Sequence, residues 1–210
     1  MSQDSEKQVQ IIEAAEKLFS EKGFNGTSVR DIAEQASVNL AMISYYFGSK
    51  EKLMEALFTY RGEKIRTQLE GMLYNKGMEP LQKFYQLIDQ YVEKFQQQQC
   101  FHRIMAREQI VHTKGVIADL MMKMKKTNLE LIRQLLHEGQ KTGQFKKNID
   151  ISLMMATLIG TVNHVLTTQF YYRELNGLQS LSEDEFQKHI RKKLSVHLKS
   201  IFKAILTHEI

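Results

Sequence analysis

The chain has 210 residues, 42% hydrophobic and 25% charged, with a formal net charge of +5. That balance is ordinary for a soluble globular protein, and the length fits one large domain or a small one joined to a larger one. A single cysteine, Cys100, excludes an intrachain disulfide and points to a reducing cytoplasm.

One proline, no tryptophan and many Leu, Ile, Met, Lys, Glu and Gln predict an all-α fold. The first helix is expected from about Glu6 to Lys22, with Val9, Ile12, Ala15, Leu18 and Phe19 at helical spacing. Gly23 should end it, and Phe24 should fold back on its last turn. Asn25-Gly26 forms a turn, and Thr27 or Ser28 caps a short helix reaching Ala36, with Asp31 completing a capping-box pattern. Ser37-Val38-Asn39 is a tight turn. Asn39 then caps a second short helix, Leu40 to Phe47, which Gly48 stops. Two helices joined in this way form a helix-turn-helix, whose second helix can enter a DNA major groove.

Ser49 should cap a long helix from Lys50 to about Leu73. Pro80 suits the first turn of the next, which reaches about Gln97. Further helices are expected over 100–110, 116–141, about 150–172 and 183–206, giving about nine in all. Residues 1–56 are assigned to DNA binding and residues 57–210 to effector binding and dimerisation. The first 56 residues hold six Lys/Arg against nine Asp/Glu, net −3. DNA binding would therefore rest on a few placed cations, not on a general positive field. The basic runs at Lys123-Lys125-Lys126 and Arg191-Lys192-Lys193 read as solvated helix faces. The run Ile151 to Val162 is too short to span a bilayer, so no membrane partner is expected.

The segments LFSEKGFNGTS, VRDIAEQASV and ISYYFGSKEKL resemble the TetR family of bacterial transcriptional regulators. The match covers the N-terminal quarter by motif and the remainder by architecture. It implies a homodimer that binds double-stranded DNA as a ligand-responsive regulator, a repressor at a roughly palindromic operator. A small molecule of unknown identity would act on the larger domain. Carried onto this chain, the resemblance places Lys50 at a phosphate, and Arg30 at a base or phosphate. Thr27, Ser28, Tyr45 and Tyr46 are candidates for phosphate. Base readout would fall to Arg30, Asn39, Leu40, Ala41, Ser44 and Tyr45, partly through thymine methyls. Ser37 departs from the glycine common in the family's turn, at some conformational cost. The plain alternatives are an exposed lysine at position 50 and simple capping at positions 27 and 28.

A pocket in the larger domain would draw on Phe84, Ile88, Tyr91, Phe101, His102, Met105, Met121, Met155, Asn163 and Phe170, each of which could equally be packed core. Arg107, Gln109 and His164 are further polar residues in apolar stretches. The last two helices would pair across a two-fold axis through Gly160, His164, Ile190, Leu194, Leu198 and Ile201. On that reading a charge at Leu198 splits the dimer. Neither a cofactor nor a metal site is expected: no nucleotide loop, hydrolase elbow or zinc-ligand spacing is present. A helical scaffold with a structural helix-turn-helix is the rival reading, and thiol-based redox sensing through Cys100 is a third.

Overall fold

The structure, a computed structural model, describes residues 3–208. Among these are ten helices and no strand: α1 (Gln3–Lys22), α2 (Val29–Gln35), α3 (Leu40–Phe47), α4 (Lys50–Leu73), α5 (Pro80–Gln97), α6 (Gln99–Val111), α7 (Val116–Lys141), α8 (Ile151–Thr167), α9 (Gln169–Leu175) and α10 (Glu183–Leu206). They form two compact units. The first runs to Thr67 and includes Gln98–Asn128; the second comprises Gln68–Gln97 and Leu129 onward. Compactness thus divides the chain inside α4 and again inside α7, and places α6 with the N-terminal helices. The motif-based division at 56/57 does not anticipate this.

The first unit is built around α1. Its inward residues Ile11, Ala15, Leu18 and Phe19 meet Ile32 of α2, Ile43 of α3 and Leu53, Met54 and Leu57 of α4. Phe101, Ile104, Ile117 and Met121 close the same core. A buried ion pair joins α1 to α4: Arg61 donates to Glu16 from Nε at 2.9 Å and from Nη2 at 2.5 Å. Such a pair is costly to break from one side, because the remaining charge stays desolvated.

The second unit packs α5 between α10 and α8. Phe84, Ile88, Val92, Leu158, Val162, Phe186, Leu198 and Phe202 fill its centre. Lys83 is buried with them, and its Nζ donates to the Leu73 carbonyl at 2.9 Å and to both Glu138 carboxylate oxygens at 2.8 Å. That ammonium ties the end of α4, the start of α5 and α7 together. Gly139 of α7 is required by close approach, since a Cβ there would lie 2.0 Å from the Phe145 ring. Gly139→Ala is therefore expected to cost about 3 kcal/mol by overpacking, read as a lower denaturant midpoint. An unchanged midpoint would mean that Phe145 moves aside freely.

The helix expected over 150–172 is two helices. Thr167 Oγ1 donates to the Asn163 carbonyl at 2.6 Å, and Thr168 Oγ1 to that of His164 at 2.6 Å. Hydroxyls bonded back into the preceding turn compete with helix continuation. The chain bends by 78° between α8 and α9. No single helix among the described residues is long and apolar enough to cross a membrane.

Candidate nucleic-acid interface

The local chemistry that makes the helix-turn-helix is in place. Ser28 is the N-cap of α2: its Oγ accepts from the Asp31 N–H at 3.1 Å, and Asp31 Oδ2 accepts from the Ser28 N–H at 3.1 Å. The Ser28 backbone and side chain hold the Asp31 carboxyl below its ordinary value. Ser37 takes φ +51, the left-handed conformation that a glycine would adopt with less strain. Asn39 caps α3 through Oδ1, which accepts from the Ala41 N–H at 2.9 Å. Gly48 ends α3 at φ +77, and Ser49 Oγ accepts from the Lys52 N–H at 3.2 Å to open α4.

These ends orient α3 with two unlike faces. Ile43 is buried, and Tyr46 and Phe47 pack partly against the core. Leu40, Ala41, Ser44 and Tyr45 share the opposite face and are exposed, Tyr45 to 80%. Positions 40, 41, 44 and 45 form one strip because the helix repeats every 3.6 residues. Arg30 and Ser28 are exposed on and beside α2. Exposed apolar and phenolic side chains on a rigid strip suit contact with base edges and thymine methyls.

Three of the expected contacts are engaged differently from their sequence reading. Thr27 is buried, and its Oγ1 donates to the Gly23 carbonyl at 2.8 Å and to Leu18 at 3.2 Å. Its hydroxyl is thus an internal clamp between α1 and the turn, not a surface donor. Tyr46 donates to Asp4 Oδ1 at 2.9 Å, and this bond raises its phenol pKa. Lys50 Nζ donates to the carbonyls of Phe24 and Thr27, both at 2.9 Å, and lies 4.4 Å from the centre of the Phe24 ring. The ammonium is half-buried at the N-terminus of α4, with one N–H left over from those two bonds.

The residues expected to line a pocket divide between the units. Phe101, His102, Met105 and Met121 belong to the first; Phe84, Ile88, Tyr91, Met155, Asn163 and Phe170 belong to the second. Phe84, Ile88, Phe101 and Met121 are packed core, and Phe170 is exposed. Burial pushes the Tyr91 phenol up. Two shallow grooves lie on the second unit, of about 340 and 290 Å³. Lys146 to Asp150, Leu153, Met154, Thr157 and Ile205 line one; Asp89, Glu93, Lys188, Arg191, Lys192 and Ser195 line the other. Neither includes an expected pocket residue.

His102 is half-buried, and desolvation lowers its pKa from 6.5 to about 4. Between those values the unfolded chain holds a proton that the folded chain lacks, so stability falls as pH falls. The loss from pH 7 to pH 4 is expected to be on the order of 3 kcal/mol, and His102→Gln should remove most of that slope in urea titrations. Equal slopes for both proteins would show that other groups carry the acid sensitivity.

The expected dimer residues are also split. Ile190, Leu194 and Leu198 are buried in the second unit's own core, and Ile201 packs against it. They are committed within the chain because α10 turns this stripe onto α5. Gly160 and His164 are exposed on α8, with Leu153 and Ile159; Val196 is exposed on α10. A Cβ at Gly160 would meet nothing within 4 Å. Both basic runs are exposed, as expected of solvated faces.

Sequence reasoning missed Glu108, which is buried and whose Oε1 accepts from the Phe24 N–H at 3.3 Å. Its signal was present: Phe101, Ile104 and Glu108 fall on one helical stripe, so a charge interrupts an apolar face.

An N-terminal helix-turn-helix with a clean outward strip, followed by a larger helical unit, defines a DNA-binding regulator of transcription. Residues 11–57 match the bacterial regulatory proteins of the tetR family, and residues 80–195 match the tetracyclin repressor-like C-terminal domain. The chain belongs to the TetR family and is a ligand-responsive DNA-binding transcriptional regulator. It is similar to the probable HTH-type transcriptional regulator YttP of Bacillus subtilis, 28% identical over 198 residues and 92% of each chain. It is 30% identical over 154 residues to the HTH-type transcriptional repressor NicS of Pseudomonas putida, covering 70% of this chain and 71% of that one. FadR of Bacillus subtilis, solved in complex with stearoyl-CoA, superposes with a TM-score of 0.68 at 21% identity, covering 91% of this chain and 97% of that one. That last likeness is one of fold. The family is generally non-enzymatic.

Proposed function

We propose that the protein is a homodimeric repressor of a roughly palindromic operator in the cytoplasm, released or rearranged by a small molecule acting on its larger domain. The observation that carries the reading is the outward strip of α3, where Leu40, Ala41, Ser44 and Tyr45 stand exposed on a helix whose other face is packed. This strip enters the major groove. Ser28, Arg30 and Lys50 address phosphates around it, Tyr46 joins them once its hydroxyl leaves Asp4, and Asn39 orients the helix start. Residues 1–56 are the DNA-reading part. The apolar exposed face of α8, with Gly160 allowing close approach, meets its two-fold mate, and Val196 of α10 joins it. The two recognition helices then lie about one DNA turn apart or a multiple of it.

Selection of fragments from sheared genomic DNA tests this, with the Tyr46→Ala/Lys50→Ala protein as control. A shared palindromic site recovered only by the wild type is expected. Equal recovery by both proteins would overturn the assignment of Tyr46 and Lys50 and favour a structural helix-turn-helix.

A further inference from the structure

Lys50 is not placed by α4 alone. Its ammonium is held by the carbonyls of Phe24 and Thr27 and by the face of the Phe24 ring. The position of that cation is therefore the position of the α1–α2 turn. The turn is itself held from a distant part of the sequence. α1 ends with the Gly23 N–H on the Phe19 carbonyl at 2.9 Å, which leaves the next N–H, that of Phe24, without a helical partner. Glu108 of α6 supplies the acceptor. Its other oxygen lies 2.7 Å from His112 Nδ1, without the alignment of a hydrogen bond, and His112 packs edge-on to the Phe24 ring. One residue earlier, the Arg107 guanidinium covers Gly23 so closely that a Cβ there would lie 2.7 Å from its Cζ.

We propose that Glu108 is a positioning residue for DNA binding: through the Phe24 backbone it fixes the carbonyl that holds the Lys50 ammonium toward the duplex. The proposal rests on the reading of Lys50 as a phosphate contact. Glu108 is 2% exposed and 84 residues from Phe24, so it touches no nucleic acid itself. It acts on the free N–H of Lys50 by fixing where the other two are bonded. A carboxylate or an amide at position 108 can accept from the Phe24 N–H, whereas a methyl group leaves that buried donor unsatisfied. α6 thereby gains a direct hold on the strength of operator binding.

The test uses full-length protein and the selected operator duplex. Dissociation constants are measured across a salt series for wild type, Glu108→Ala, Glu108→Gln, Lys50→Ala and the double variant Glu108→Ala/Lys50→Ala. Glu108→Ala is expected to weaken binding about tenfold and to lower the salt slope by about one ion, matching Lys50→Ala. Glu108→Gln should stay within about twofold of wild type because the acceptor is kept. In the Lys50→Ala background, Glu108→Ala should add less than about twofold, since the residue it acts through is gone. Full multiplication of the two effects, or a Gln variant as weak as Ala, would overturn the proposal. Glu108→Asp, which withdraws the acceptor by one methylene, replaces Ala if that variant does not fold.

A second readout needs no DNA. The Lys50 side-chain ammonium resonance should be slow to exchange in wild type and Glu108→Gln, and broadened in Glu108→Ala. An unchanged resonance in the Ala variant overturns the positioning role. If the wild type bound no duplex, the operator reading alone would fail, and this signal would still decide between the two outcomes for Glu108.

Discussion

Leu198→Glu is expected to unfold the second unit, not to yield a folded monomer. Leu198 is 0% exposed and belongs to the same apolar core as Phe84, Ile88, Leu194 and Phe202. The substitution both removes apolar contacts and buries a charge. The cost should exceed about 4 kcal/mol, a large share of the roughly 5–15 kcal/mol that stabilises a typical domain. Gly160→Glu makes the contrast. Position 160 is exposed, with open space for a side chain, and replacing a mid-helix glycine should favour α8 by about 0.5 kcal/mol. In the proposed dimer, a carboxylate there would face its own copy across the two-fold axis and be repelled. Sizing chromatography with light scattering and circular dichroism should show a folded monomer for Gly160→Glu and lost helicity for Leu198→Glu. A folded dimer from Gly160→Glu would move the interface off α8. A folded monomer from Leu198→Glu would restore the α10 stripe to the interface.

These two positions show what hydrophobic spacing does and does not reveal. The recurrence of Phe186, Ile190, Leu194 and Leu198 establishes that one face of α10 is covered, and it is. Spacing carries no information on whether the cover comes from the same chain, and here α5 supplies it. Helix ends were legible because their chemistry is local. Ser28 with Asp31, Asn39, Gly48 and Pro80 each act within a few residues, and each sits where its type predicts. The break after Thr167 escaped because two threonine hydroxyls end the helix without proline or glycine, inside a stretch that stays apolar. The outward strip of α3 followed from its period. The hold on Lys50 did not, because Phe24, Thr27 and Glu108 meet that lysine only through the tertiary fold.

Lys50→Ala is expected to weaken operator binding more than the loss of one phosphate contact would. A single exposed lysine–phosphate contact contributes about 1 kcal/mol and one released counterion. Lys50 is also the donor to two carbonyls of the α1–α2 turn, at 2.9 Å each. Hydrogen bonds from a charged group contribute about 1.5–3 kcal/mol, and with the ammonium removed both carbonyls lose their donor in a partly buried site. The turn that precedes the Ser28 cap should loosen, and α2 and α3 with it. The first unit should accordingly melt several degrees lower, while operator affinity drops by tenfold or more, about 1.4 kcal/mol at least. The salt slope separates the two effects. Loss of a phosphate contact lowers it by about one ion, whereas a loosened turn alone weakens binding equally at all salt concentrations. Lys50→Arg keeps the charge but replaces a compact ammonium with a planar fork that does not fit between two carbonyls and a ring. It should preserve the salt slope and lose part of the thermal stability. If Lys50→Ala left both slope and melting temperature unchanged, Lys50 would be an ordinary surface lysine, and the cation that meets the duplex would have to be sought elsewhere, first at Arg30.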